Sequence, residues 1–562
     1  MNAPVRPAIA VVRIRFIFSG GGFKMVHQSM SLNATRMHFT DSASCAQWIE
    51  SLPLTNPQAA QNTLTEQIAL VRQAGFAPLE LLRVLEALRE PVAYVQNELA
   101  RKYTARSLPL EAAESALWTR VVALWQELSD CYLLCRDAHM QAGTELKAYG
   151  PLIVMRCLHY LSCVMFEYYR IYRQAPAELW KKLHQLYGFA EQSGIAQAAV
   201  VDAFGQHMPN ASCAAAYCEA LLAHLANPFA LSGRQMEFVL LWVEKWSALV
   251  GLAQQPLPPS AIPALAVDLA GGAGPVFAEG LAPLASIRHL DLDQLGRTLR
   301  QTTTLLKQGQ TPAQLGLGDA RQPGCENMLM MLYIQWCRAG TGRSEPRDPT
   351  EEKAQVCLGL HATHFYVSGR AFRPPGSSLT RHEAHDIEMF GHISERTEHM
   401  LATKESTAVE SWQLMNQSNS GFMCMLREPD AQIRIGHNQL VAVRRSASTT
   451  FYLGLVQWLR VEETSELFVR VRLFPGVARA IAVRPADFNV SSGANTYERG
   501  LFLPELPAPM TPATIILPSA WFQAGRVIEL GDQKRTVKLA NLLEKGSDFD
   551  RCTFSLIENP PQ

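Results

Sequence analysis

Across the first half of the chain, apolar residues recur at three- and four-residue spacing, the signature of helices with one buried face. Asn56-Pro57 reads as a helix start, with Asn as N-cap and Pro at the first helical position, and Leu64, Ile68 and Val71 continue the stripe. Leu81, Leu85 and Leu88 mark a second helix, and Leu117, Val121, Leu124, Leu128 and Tyr132 line one face of a third. Tyr149 to Tyr172 is apolar almost all round, which predicts a central, buried helix. Pro256, Pro258, Pro259 and Pro263 break the pattern, Ala264 to Ala270 reads as extended, and helices return at Leu292–Leu306 and Met328–Cys337.

After Cys337 a polar stretch, Gly340 to Pro349, predicts a linker. Beyond it the texture changes to β-branched and aromatic runs. These are Val356–Val367, Trp412–Met415, Phe422–Leu426, Gln439–Val443, Tyr452–Leu459, Leu467–Leu473 and Arg479–Val483. Short strands at this spacing predict a small closed antiparallel barrel. Thr514–Leu517, Arg526–Leu530 and Thr536–Leu539 make a last β-rich piece. The expectation is an α+β multidomain chain. Residues 1–36 are a disordered or over-extended N-terminus, and 37–337 an all-α helical bundle or array with a Pro-rich joint near 256–263. Residues 338–490 are the barrel, with a polar insertion at 370–410, and 491–562 a β-rich C-terminal extension.

Composition narrows the function. Of 562 residues 48% are hydrophobic, enough for real cores, and 51 basic residues balance 51 acidic ones. That balance argues against wholesale nucleic-acid binding. The twelve cysteines include no pair of C-x-x-C motifs that would hold zinc, and Cys131 and Cys135 sit inside a helical apolar pattern. With no secretory signal or membrane-spanning run, the reading is a cytoplasmic protein without membrane insertion. The histidines are the candidates for catalytic or metal-binding chemistry. His361-x-x-His364 falls on a predicted strand, where residues three apart face opposite ways. His382-x-x-His385 is one residue short of the zinc-protease spacing. No nucleophile elbow, phosphate loop or dinucleotide fingerprint is present, so the expectation is a non-enzyme with no catalytic residue, metal or cofactor. A hydrolase using the histidine-rich insertion is a third reading, and would require bound metal.

Two motifs carry chemistry. Arg343-x-x-x-Arg347 lies in the linker; guanidinium groups are permanently charged and bond phosphates and guanine edges in bidentate fashion. Asn416-x-Ser418-x-x-Gly421 supplies polar side chains and a flexible Gly between two strands. Alone, the first is equally a solvated linker and the second an ordinary hairpin turn. Together, in the order R-x-x-x-R, strand, [D/N]-x-S-x-x-G, they resemble the PilZ domain, a bacterial receptor module for cyclic di-GMP. Gly436-x-x-Gln439-Leu-Val-Ala-Val and Gly454-x-Val456-x-Trp458 are similar to divergent, long PilZ-like proteobacterial receptors with a helical N-terminal region. The chain departs from the compact pattern in having 68 residues between Arg347 and Asn416, and Asn in place of Asp at 416. The resemblance covers residues 338–485. It implies a cyclic di-GMP ligand held by Arg343, Arg347, Asn416, Ser418 and Gly421. Arg444 and Arg445 stand as reserve phosphate contacts, or as exposed strand-end charges. It implies an effector that turns nucleotide binding into altered docking with unknown protein partners, in surface attachment or motility. The alternative is a nucleotide-free interaction scaffold.

Overall fold

The computed structural model describes residues 13–19, 22–28, 36–140, 145–205, 207–208, 211–258, 262, 264–279, 281–338, 348–349, 352–376, 381–394, 396, 409–417, 421–428, 433–486, 496–507, 510–531 and 535–557. Arg13–Ser19 and Gly22–Gln28 pair as a hairpin, and the rest of the expectation for residues 1–36 falls almost wholly outside that set.

Helix α1 (Ser42–Glu50) is followed by α2 (Pro57–Gln73), α3 (Pro78–Ala100), α4 (Ala112–His139), α5 (Gly150–Arg170), α6 (Ala177–Gln192), α7 (Cys213–Leu225) and α8 (Gly233–Trp246). The Asn56 side chain accepts from Ala59 N at 3.3 Å with Pro57 at the first position of α2, as the sequence predicts. The apolar stretch around α5 is the centre of this array: it packs on α4, α6 and α7. The segment Glu145–Arg170 is long and apolar enough to cross a membrane, and 78% of its most apolar window is buried by other helices. A four-stranded antiparallel sheet (Gly251–Ala253, Leu265–Asp268, Val276–Phe277, Ile287–Asp291) interrupts the helices, so the N-terminal half is not purely α. Helices α9 (Asp293–Lys307) and α10 (Gly324–Cys337) close it.

Six strands form the first barrel: β1 (Lys353–Leu358), β2 (Val409–Gln417), β3 (Phe422–Arg427), β4 (Leu440–Arg445), β5 (Tyr452–Val461) and β6 (Leu467–Leu473). They run in the order β1-β4-β5-β6-β3-β2, and β2 returns to pair with β1, Ala354 lying opposite Trp412. All neighbours are antiparallel. A second closed barrel follows, built from β7 (Arg479–Pro485), β8 (Glu498–Leu503), β9 (Thr514–Pro518), β10 (Val527–Leu530), β11 (Arg535–Lys545) and β12 (Phe549–Leu556).

Two expectations need correction. The strand Arg479–Pro485, assigned above to the first barrel, pairs with β8 and β10 and belongs to the second. The C-terminal piece is therefore a complete barrel that starts before residue 491. The run Val356–Val367 is a strand only to Leu358. Gly359 at φ +84 turns the chain into helix α11 (Gly359–Ser368), which packs against β4 of one barrel and β7 and β8 of the other. Its β-branched and aromatic residues are used to fill an interface, which outweighs their preference for strands.

The helical array and first barrel share one core. Leu124, Leu158 and Leu221 belong to the same continuous buried cluster as Trp412, Val441, Val456 and Val469. Backbone bonds reinforce it: Leu108 and Ile435 exchange N–H···O bonds of 2.7 Å, and Val461 N donates to Tyr172 O at 2.8 Å. Trp458 Nε1 donates to Asn227 Oδ1 at 3.1 Å. Tyr172 (φ +56) and Asn227 (φ +55) both hold left-handed backbones at this seam, a cost tolerated where surrounding contacts over-determine the conformation. A second cluster joins the barrels: Leu440, Leu453 and Phe474 meet Leu501, Ile516 and Phe549. Strand β4 explains its own sequence, since Val441 and Val443 face the first core while Leu440 and Ala442 face the second barrel.

Candidate functional site

The Asn416 motif opens at a break in strand register. Strand β2 pairs regularly with β3 up to Leu414, shifts, and resumes at Asn416, which lies opposite Cys424. On its other side Asn416 lies opposite Pro349, and Gln417 opposite Asp348, so a short strand adds to the barrel edge there. Gly421 sits at φ +83, where a side chain would be strained, and its carbonyl accepts from Leu473 N at 2.9 Å. Arg343, Arg347 and Ser418 lie outside the described residues.

Arg444 and Arg445 end β4 on the same rim. Arg444 lies 4.7 Å over the Phe451 ring and donates Nε to Gln355 Oε1 at 3.0 Å. Arg445 donates Nη1 to Gln417 Oε1 at 3.2 Å, and Nε and Nη2 to Glu352 Oε2 at 2.9 and 2.6 Å. The Arg445 hydrogen bonds hold the Glu352 carboxyl below its ordinary pKa. The structure thus gathers Arg445, Gln417 and Asp348 at one place. Asp348 follows Arg347 directly in the chain, and Gln417 lies between Asn416 and Ser418. Glu352, Gln355 and Gln417 were missed at the sequence level. Their roles come from cross-strand pairing between residues 28 to 93 positions apart, which no local pattern encodes.

The histidines behave differently from the strand reading. His361 and His364 lie on α11 three residues apart, not on a strand; His361 is exposed and His364 buried, with burial driving its pKa down to about 4. In helix α12 (Arg381–Phe390) the acids near His382 and His385 already have structural partners. Glu383 pairs with Arg373 at 2.9 Å, and Asp386 accepts from Ser394 N and Oγ at 3.0 and 2.7 Å. Among the described residues no group of three or more His, Cys, Asp or Glu is placed to hold a metal ion. Cys131 and Cys135 are buried core thiols pushed up to about 12 by burial.

Residues 43–257 match the family described as the cyclic-di-GMP receptor FimW, N-terminal domain, and residues 482–557 match the FimW C-terminal beta-barrel domain. The second match begins inside β7, in agreement with the second barrel. Over 545 residues the chain is 24% identical to the cyclic-di-GMP receptor FimW of Pseudomonas aeruginosa, an alignment that covers 87% of this chain and 86% of that protein.

Proposed function

We propose, from the membership of this chain in the FimW family of cyclic-di-GMP receptors, that it binds cyclic di-GMP on the rim of its first barrel and acts as a non-enzymatic effector. The observation that carries this reading is the convergence of Arg445 with the strand holding Asn416 and Gln417, against which Asp348, the residue after Arg347, is paired. Cyclic di-GMP offers two phosphodiesters and two guanines, and guanidinium groups bond both kinds of acceptor.

The ligand would bridge the 343–347 segment to the surface at 416–421 and alter what that rim presents to a protein partner. The backbone bonds at Leu108–Ile435 and Tyr172–Val461 favour a local change over rotation of the barrel against the helices. A cytoplasmic location, supported by twelve cysteines none of which forms a disulfide, and an output in attachment or motility complete the proposal. A second reading, a nucleotide-free scaffold, draws support from Arg444 and Arg445 being engaged by Gln355 and Glu352.

The test is calorimetric titration of the full chain with cyclic di-GMP, alongside Arg343→Ala/Arg347→Ala. Micromolar or tighter binding, weakened in the variant by roughly two to four powers of ten, is expected. Undiminished binding in the variant would remove those arginines from the site. No binding by the intact chain would leave the scaffold.

A further inference from the structure

The turn that follows β4 is a formed anion cradle. Arg445 directs Nε and Nη2 at one point, and the backbone N–H of Ser446 and Ala447 face it as well. A guanidinium beside consecutive backbone N–H groups is the donor set that proteins use for phosphate oxygens. In this conformation the cradle is filled from within. Glu352 places Oε2 on Arg445, at 2.9 and 2.6 Å, and Oε1 on Ser446 N at 2.9 Å. Its backbone is fixed separately, because Glu352 O accepts from Leu414 N at 2.7 Å, so the side chain can leave while the strand stays.

A carboxylate and a phosphodiester are alike to such a cradle: each presents two oxygens sharing one negative charge. We propose that Glu352 is an internal stand-in for a ligand phosphodiester, closing the cradle until the dinucleotide displaces it. This deepens the receptor reading and rests on it. The arrangement has two consequences. First, the wild-type affinity is lower than the site's intrinsic affinity, by the ratio of closed to open cradles. Second, displacement frees a charged side chain at the rim, three residues past Pro349, while the backbone there stays in place, so the event that seats the phosphate changes the charge that the rim presents.

Glu352 and Arg445 form an ion pair that is open to solvent on the arginine side (44% exposed), so removing the carboxylate is not expected to unfold the barrel. The experiment titrates the full-length wild type, Glu352→Gln, Glu352→Ala and Glu352→Gln/Arg445→Ala with cyclic di-GMP and, separately, with inorganic pyrophosphate. Both single variants are expected to bind cyclic di-GMP roughly tenfold tighter than wild type, with the gain lost when Arg445 is also removed. Equal or weaker binding by the single variants would overturn the cradle and leave the receptor reading intact. If no form binds cyclic di-GMP but the single variants bind pyrophosphate through Arg445, the cradle stands as an anion site and the receptor reading falls. Absence of binding to both probes in every form would overturn both.

Discussion

Arg434 tests how firmly the first barrel is fixed to the helices. Its guanidinium crosses the seam, donating Nε and Nη2 to Ser107 O at 3.1 and 2.8 Å and Nη2 to Glu114 Oε2 at 2.7 Å, with a further ion pair to Glu111. Glu111 and Glu114 are the two halves of the capping box that starts α4, so one side chain holds the helix end and the barrel together. Truncation in Arg434→Ala removes all of this. Glu111 is 64% exposed, so its pair adds nothing measurable. The Ser107 carbonyl bonds contribute about 1.5 kcal/mol and the Glu114 pair about 1 kcal/mol, giving a local loss of roughly 2–3 kcal/mol. Native-state hydrogen exchange at the Leu108 and Ile435 amides, which are bonded across the seam, reads this directly. Exchange there should quicken about 30- to 150-fold, while the Val537 amide in the second barrel should be unchanged. Less than a threefold change at Leu108 and Ile435 would refute the reasoning, and the apolar cluster alone would then hold the seam.

Three further outcomes are expected. Arg156→Ala removes the two-bond partner of the Glu86 carboxylate, which is 2% exposed and bonded to Arg156 Nε and Nη2 at 3.0 Å each, and leaves it Arg89 at 3.2 Å and the Tyr132 hydroxyl at 2.7 Å; denaturant unfolding should show a loss of about 1.5–3 kcal/mol. Gly454→Ala would bring its methyl to 2.5 Å from Val471 Cγ1 and 3.1 Å from Arg472 O, overpacking the barrel by roughly 1–3 kcal/mol, read as a lowered melting temperature. His184 is fully buried between Tyr217 OH (2.7 Å) and Ala273 O (2.9 Å), and burial lowers its pKa below 6.5 despite Asp268 nearby. The unfolded chain binds that proton more readily, so this contribution is present above pH 6.5 and is lost as pH falls through the folded pKa. Melting temperature should therefore drop more steeply below pH 6.5 in wild type than in His184→Phe.

The helices were legible because their cores repeat at one local period. Leu117, Val121, Leu124, Leu128 and Tyr132 are all buried as the stripe on α4 requires. The barrels were legible as strands but not as partners. Nothing near Arg479 says that its strand pairs with Glu498–Leu503 and Val527–Leu530 rather than continuing the preceding barrel, because pairing is decided by residues dozens of positions away. Residues 359–368 misled for a related reason: a single Gly at positive φ outranks nine residues of strand-like composition. At the candidate site Arg445 was found from its charge and position, whereas Glu352 carries no signal until the fold sets it against the β4 turn.

The first barrel is committed twice, its interior running into the helical core through one buried cluster and its outer face meeting the neighbouring barrel through another. Such a module cannot be excised, transplanted or exchanged by recombination without baring both apolar faces. Its sequence is free to drift chiefly around the mouth. Inherited variation within the first barrel should therefore concentrate at the rim that carries Asn416, Gly421 and Arg445, while the three-part body travels as a single heritable unit.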